Sequence, residues 1–184
     1  MPPNVEFIVD DFEGLSYRRE FDFIRANGLA GSIQDLDQLI EGALEACSHG
    51  GWFEISDWVF IPSNDSSSCY NWWQLMVKAA GKAGINFQTP YDYKRKLEEH
   101  GFRNVRQDIR HIPLQSTDNK DDDEELQQKM SKFWTTDLEG FSLSLMSGTL
   151  GISMPEVFVY CAAVRKELES RNVPCYWERS GMHW

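Results

Sequence analysis

The chain has no CxxC pair. Its four cysteines, Cys47, Cys69, Cys161 and Cys175, are scattered through 184 residues that hold only four histidines. No zinc pattern can be assembled from these, and a disulfide framework is not expected in a chain this long. Reduced thiols in an intracellular protein, cytoplasmic or nuclear, are the expectation. No apolar stretch approaches the ~20 residues of a membrane span. Met1-Pro2-Pro3 opens no signal peptide, because no basic region precedes an apolar core. Basic residues are also scarce, 18 against 29 acids for a net charge of −11. That balance argues against the basic face with which a protein tracks phosphates, and so against a nucleic-acid partner. Enzyme signatures are missing as well: there is no GxSxG elbow, phosphate-binding P-loop or HExxH. The glycine pairs Gly28/Gly31, Gly81/Gly84 and Gly148/Gly151 do not form GxGxxG.

What is present is a globular composition, 41% apolar and 13% aromatic, in a chain long enough for one domain with a buried core. VEFIVDD (5–11), FDFIRA (21–26) and WFEISDWVF (52–60) read as strands. Between the last two, Leu36, Leu39, Ile40, Ala43, Leu44 and Cys47 recur at helical spacing, with Ser32 as the candidate N-cap and Asp35 three residues on. His49-Gly50-Gly51 stops that helix. Strand, helix and strand with short links imply parallel pairing and right-handed crossovers. Beyond the polar loop 62–68, a helix is expected around Trp72, Trp73, Leu75, Met76 and Ala80. Another, 91–100, closes at Gly101. Residues 102–114 alternate as a strand, and QSTDNKDDDEEL reads as a solvated acidic stretch. Leu126, Met130, Phe133, Trp134, Phe141, Leu145 and Leu150 mark a helical region interrupted by glycines. A capping box, Ser153 to Glu156, opens the last helix, which runs Val157, Tyr160, Cys161, Val164 and Leu168 along one face. NVPCYWERSGMHW begins a final strand.

In an open parallel sheet, ligands sit off the carboxyl ends of the strands. Three ends carry polar or conformationally special residues here: Asp10-Asp11, Arg25 to Gly28, and Glu54 through Asp57-Trp58. By residue type alone, the first pair either solvates a turn or faces a ligand, and the same choice holds for Glu54 and Asp57. Trp58, Tyr70, Trp72, Trp73, Trp134 and Phe141 either wall an apolar pocket or fill the core. His111 is the one histidine near an expected strand end, and a general-base role for it finds little support.

The succession NVEFIVDDFE, FDFIRANGLAGSIQD, GGWFEISDW and YKRKLEEHGFRNV resembles the class I S-adenosylmethionine-dependent methyltransferases, more narrowly the fungal LaeA-like group. LEGFSLSLMSGTLGISMPEVFVYCAAVRKEL is similar to that group's C-terminal helical insert, so the resemblance runs from about residue 3 to 177. It implies an α/β, Rossmann-like sheet of order 3-2-1-4-5-7-6. It also implies a methyl acceptor that is a small molecule or a protein, and a role in fungal secondary metabolism. Asp11, ending the third strand of that order, would accept from the adenine amino group. Phe12 would offer its backbone N–H and an apolar edge to the ring. Arg25 and Ala26 would line the methionine end through backbone groups, although relatives more often carry arginine where Asn27 stands. Trp58, Tyr70 and Trp73 are the acceptor-pocket candidates.

The resemblance starts at the third strand, and the glycine-rich turn after the first has no counterpart. The expectation is therefore a single partial domain, 1–184. It divides into a cofactor-side part (1–61), acceptor-side helices, strand and acidic loop (62–150), and a C-terminal helix with a short last strand (151–184). S-adenosylmethionine binding by this chain alone should then be weak. The alternative to an enzyme is a non-catalytic, truncated remnant that acts as a protein-interaction module.

Overall fold

A computed structural model of the chain describes residues 4–9, 11–13, 20–62, 66–114, 129, 132, 136–170 and 175–183. Four strands form one sheet among them: β1 (Phe21–Asn27), β2 (Cys47–Pro62), β3 (Arg106–Pro113) and β4 (Cys175–His183), in the order β1-β2-β4-β3. β1 and β2 are parallel, whereas β4 runs antiparallel to both β2 and β3. This corresponds to the 4-5-7-6 run of the expected order. The last strand, expected to be short, runs nine residues and pairs along the whole of β3.

The expected strand at 5–11 is not formed among the described residues. Val5, Phe7, Ile8 and Val9 are 39, 80, 65 and 104% exposed. An apolar run becomes a strand when a ladder partner takes its backbone groups and a layer covers its side chains. None of the described strands pairs with this one, so propensity alone does not hold it.

Helix α1 (Leu36–Ala46) connects β1 to β2, buries Leu39, Ile40, Ala43 and Ala46, and is capped by Asp35, whose carboxylate accepts from the Gln38 N–H at 3.0 Å. Ser32 was the expected cap. It lies four residues before the helix begins, in a turn that its N–H closes on the Leu29 carbonyl at 2.7 Å. β2 starts earlier than expected, and its register with β1 slips from Phe21↔Cys47 to Phe23↔Trp52. Residues 48–51 bulge out of the ladder. Gly51 is forced there, because a Cβ would lie 2.9 Å from the Phe21 carbonyl oxygen and 3.0 Å from that of Ser48.

Helix α2 (Ser68–Lys82) is capped by Ser67 and packs Cys69, Trp72, Trp73, Met76, Ala79 and Ala80 inward. A 3₁₀ turn, Thr89–Asp92, leads into α3 (Tyr93–Glu99), which ends at Gly101 with φ +102°. A helical run at 136–150 (α4) takes a π turn over Leu143–Ser147. In α5 (Met154–Ser170) the Glu156 carboxylate accepts from both the N–H and the hydroxyl of Ser153. Leu126, Met130, Phe133 and Trp134 lie outside the described residues.

The sheet is covered on both faces. Phe53 and Ile55 of β2 join Ala26, Leu39, Ile40, Tyr93, Leu97 and Phe102 under α1 and α3. Phe60, on the alternate parity, joins Trp72, Trp73, Met76, Val157 and Cys161 under α2, α4 and α5. Alternate residues of β2 thus serve two apolar layers, one on each face of the sheet.

Candidate functional site

Where β1 ends, a group of polar residues ties its carboxyl end to β2. Asn27 stands opposite Ser56 in register, and the Ser56 hydroxyl donates to Asn27 Oδ1 at 2.8 Å. The Gly28 N–H donates to the Ser56 carbonyl at 3.0 Å, from a φ of +72° that favours glycine. One residue further along β2, Asp57 is 2% exposed. Its Oδ1 accepts from the Ala30 N–H at 3.0 Å and its Oδ2 from the Tyr93 hydroxyl at 2.6 Å. Burial pushes the Asp57 carboxyl above its usual range, against the opposing pull of the Tyr93 hydroxyl and the Ala30 and Leu29 amides. The Tyr93 phenol is driven well up, first by burial and then by the Asp57 charge beside it. Acid and phenol are therefore committed to each other. Their effect is to fix the 27–35 loop, the connection that opens α1.

The short segment 11–13 is held against that loop. Glu13 Oε1 accepts from the Gln34 N–H at 2.5 Å and the Asp35 N–H at 2.8 Å. Phe12 is half-buried against the cluster that contains Ala26 and Ile33. Asp11 is exposed, and its Oδ1 accepts from the Glu13 N–H at 3.1 Å. Asp11, Phe12 and Ala26 are thus brought to one end of the sheet. Arg25 projects from the opposite face of β1, where its Nε lies 3.1 Å from Glu54. Trp73 is buried against Phe60 and Trp72 and stacks on Phe87 at 5.5 Å. Trp58 is half-buried against the same core, and Tyr70 is half-buried in the first turn of α2. His111, on β3, is 60% exposed and lies 3.0 Å from Glu178 Oε2.

Tyr93 and Glu13 were not anticipated as parts of this end. Tyr93 looks like any aromatic at the start of a short helix, and its distance in sequence from Asp57 hides the pair. Glu13 sits in a turn-forming run with no signal of its own. Among the described residues, no group of histidine, cysteine or acidic side chains could hold a metal ion, and no helix is long and apolar enough to cross a membrane. Cys47, Cys69 and Cys161 are not in disulfides.

An open sheet whose loops gather at the carboxyl ends of a parallel pair defines an α/β domain of the kind that binds ligands at that edge. Residues 2–107, more than half of the chain, match the family model described as "Methyltransferase domain". The chain belongs to that methyltransferase family. It is 28% identical over 179 residues to methyltransferase pytC of Aspergillus terreus, covering 94% of this chain and 55% of that protein. It is 26% identical over 181 residues to the probable methyltransferase tdiE of Emericella nidulans, covering 91% and 55% respectively. The chain thus spans about half the length of these fungal relatives. Among solved structures, phosphoethanolamine N-methyltransferase 2 of Haemonchus contortus, in complex with S-adenosyl-L-methionine, matches with a TM-score of 0.50 at 13% identity. That likeness covers 94% of this chain and 35% of the other, and it supports the fold.

Proposed function

We propose that this chain carries part of an S-adenosylmethionine-dependent methyltransferase site of the LaeA-like type, serving fungal secondary metabolism with a small-molecule or protein acceptor. The observation that supports this best is the family match over 2–107. The matched range includes both the 11–13 segment and the 27–35 loop, which Glu13 joins. The residues present fit the adenine end of the cofactor. Asp11 offers an exposed carboxylate, and Phe12 is anchored at the core with a partly open apolar surface.

In this reading Asp11 accepts from the adenine amino group, and Phe12 contributes its N–H and ring edge. The backbone at Arg25 and Ala26 faces the methionine end. The bound cofactor supplies an electrophilic sulfonium methyl group, so little acid–base chemistry is required of side chains. The chain's task is to bind, align and exclude water. Asp57 and Tyr93 hold the loop on which that alignment depends. Trp58 and Tyr70, both half-buried, and the buried Trp73 remain the acceptor-side candidates.

Calorimetric titration of the 184-residue chain with S-adenosylmethionine tests the reading. The expected result is saturable binding weaker than micromolar, since the sequence supplies no glycine-rich turn of the usual spacing. Asp11→Ala should weaken that binding by about 1–3 kcal/mol, the cost of removing one charged partner. An unchanged affinity would remove Asp11 from the site. Absence of saturable binding by the folded chain would overturn the cofactor reading. It would favour the second one, a non-catalytic interaction module, for which the exposed Val5, Phe7, Ile8 and Val9 speak.

A further inference from the structure

Helix α5 carries two apolar stripes, and the described residues cover one of them. Val157, Cys161, Val164 and Leu168 recur at helical spacing and are buried in the core beside α2 and α4. On the opposite side Pro155, Phe158, Val159, Ala162 and Ala163 recur at the same kind of spacing, and all five are exposed. Val159 stands at the middle of that stripe and is 70% exposed. Met154, one turn before Phe158, widens it and is exposed as well. No charged side chain interrupts residues 157–164. A surface helix ordinarily carries its charges on the side away from the core, and in a chain of net charge −11 they are plentiful. Here they stand only at the two ends of the stripe, Glu156 before it and Arg165 and Lys166 after it.

We propose that two copies of the chain meet on this face, in an antiparallel pairing of α5 with α5 about a two-fold axis. The order of residues along the stripe is what selects a second copy. With the axis level with the 160–161 peptide, Val159 lies opposite the partner's Ala162, and Phe158 opposite the partner's Ala163. Each bulky side chain then meets a small one, as interdigitating helix ridges require. Pro155 lies opposite the partner's Lys166, which brings that ammonium beside the Glu156 carboxylate. Lys166 holds no carboxylate among the described residues, and both Ser153 bonds fall on Oε2 of Glu156. Symmetry repeats the contact, so an ion pair closes each end of the apolar centre. A parallel pairing would set Val159 on Val159 and Lys166 on Lys166, bulk on bulk and like charge on like. Covering the stripe buries on the order of 900 Å² in all, the range of weak, reversible association. The pairing does not depend on the cofactor reading, because none of the residues proposed for the cofactor takes part.

Sedimentation equilibrium of the 184-residue chain tests the pairing. A reversible monomer–dimer equilibrium is expected, with a Kd on the order of 100 µM or below. Val159→Asp should weaken it at least about tenfold, since it sets a charge in the apolar centre of the interface. Circular dichroism should stay unchanged, because that side chain is exposed in the single chain. Lys166→Glu should weaken the dimer about threefold, the scale of exposed ion pairs. Ala162→Leu should weaken it too, because the added bulk collides with the partner's Val159. On a face that merely gathered apolar surface, the same change would strengthen association. Val9→Asp alters the other exposed apolar run and should leave the equilibrium where it is. A folded chain that sediments as a monomer throughout would overturn the proposal, and so would assembly that passes beyond two copies. A dimer indifferent to Val159→Asp, strengthened by Ala162→Leu or lost in Val9→Asp would overturn it as well.

Discussion

The two ends of the sheet treat charge in opposite ways. At the carboxyl end Asp57 is buried, and each oxygen has a donor, from Ala30 on one side and Tyr93 on the other. At the amino end Arg103 and Arg106 are exposed, with no ion pair among the described residues. Burial without partners is costly for a charge, so the first arrangement is a structural necessity. Exposure leaves the second free of that constraint, and its groups remain available. The carboxyl end therefore fixes a loop, whereas the charges at the amino end carry no such duty. The largest test of this contrast is Asp57→Ala. It strands the buried Tyr93 hydroxyl and the Ala30 amide together, and roughly 3 kcal/mol of folding stability should be lost. Urea unfolding measures it. A loss under 1 kcal/mol would mean that the network does not hold the loop.

Tyr93→Phe is a narrower cut through the same network. It removes one donor, leaves the ring's packing in place, and should cost about 1–2 kcal/mol at neutral pH. Its pH dependence separates a charge effect from lost packing. Burial already raises the Asp57 carboxyl in the folded state above its unfolded value. The folded chain thus binds a proton more tightly, and stability from this group falls as pH rises through that window. Removing the Tyr93 hydroxyl takes away a donor that favours the charged form, so the carboxyl should rise further. The penalty of Tyr93→Phe should therefore be full at neutral pH and shrink in acid, where Asp57 is protonated in either protein. A penalty that stays constant with pH would assign the effect to packing.

Sequence reasoning reached the parts of this contrast that rest on local pattern. The parallel β1–β2 unit, α1 between them and the Ser153 cap of α5 follow from spacing and end signals, which are local. Asp57 was visible as a strand-end acid, yet its burial was not, because Tyr93 reaches it from a helix 36 residues away. The opposite error occurred at 5–11, where a strong apolar alternation has no ladder among the described residues. A strand is a property of a pair, and one half of a pair can be read without the other being present. The glycines at 50 and 51 read as a helix stop, and α1 does end just before them, but they also form the 48–51 bulge of β2. Two glycines carry that signal equally well in both settings, and only the close approach of the Phe21 carbonyl distinguishes them.

The smallest expected effect concerns Asp11, the other acid that the sequence places at the end of an apolar run. Asp11 is exposed and accepts from a backbone N–H two residues away, as a short polar side chain does in many turns. Asp57 and Asp11 thus differ in what depends on them, although the sequence offers both as acids at the end of a strand. Asp11→Ala should change folding stability by no more than about 0.5 kcal/mol, because the side chain and the Glu13 N–H that it accepts from are both exposed to water. Urea midpoints of the two alanine variants measured side by side make the comparison. If Asp11→Ala leaves the midpoint in place and still weakens S-adenosylmethionine binding, the residue acts on the ligand and not through the fold. If the midpoint falls along with the affinity, Asp11 belongs to the clamp that Glu13 forms with the 27–35 loop, and the loss of binding reports the loop's position. The pair of measurements distinguishes these cases, since a group that touches ligand need not support the structure that presents it.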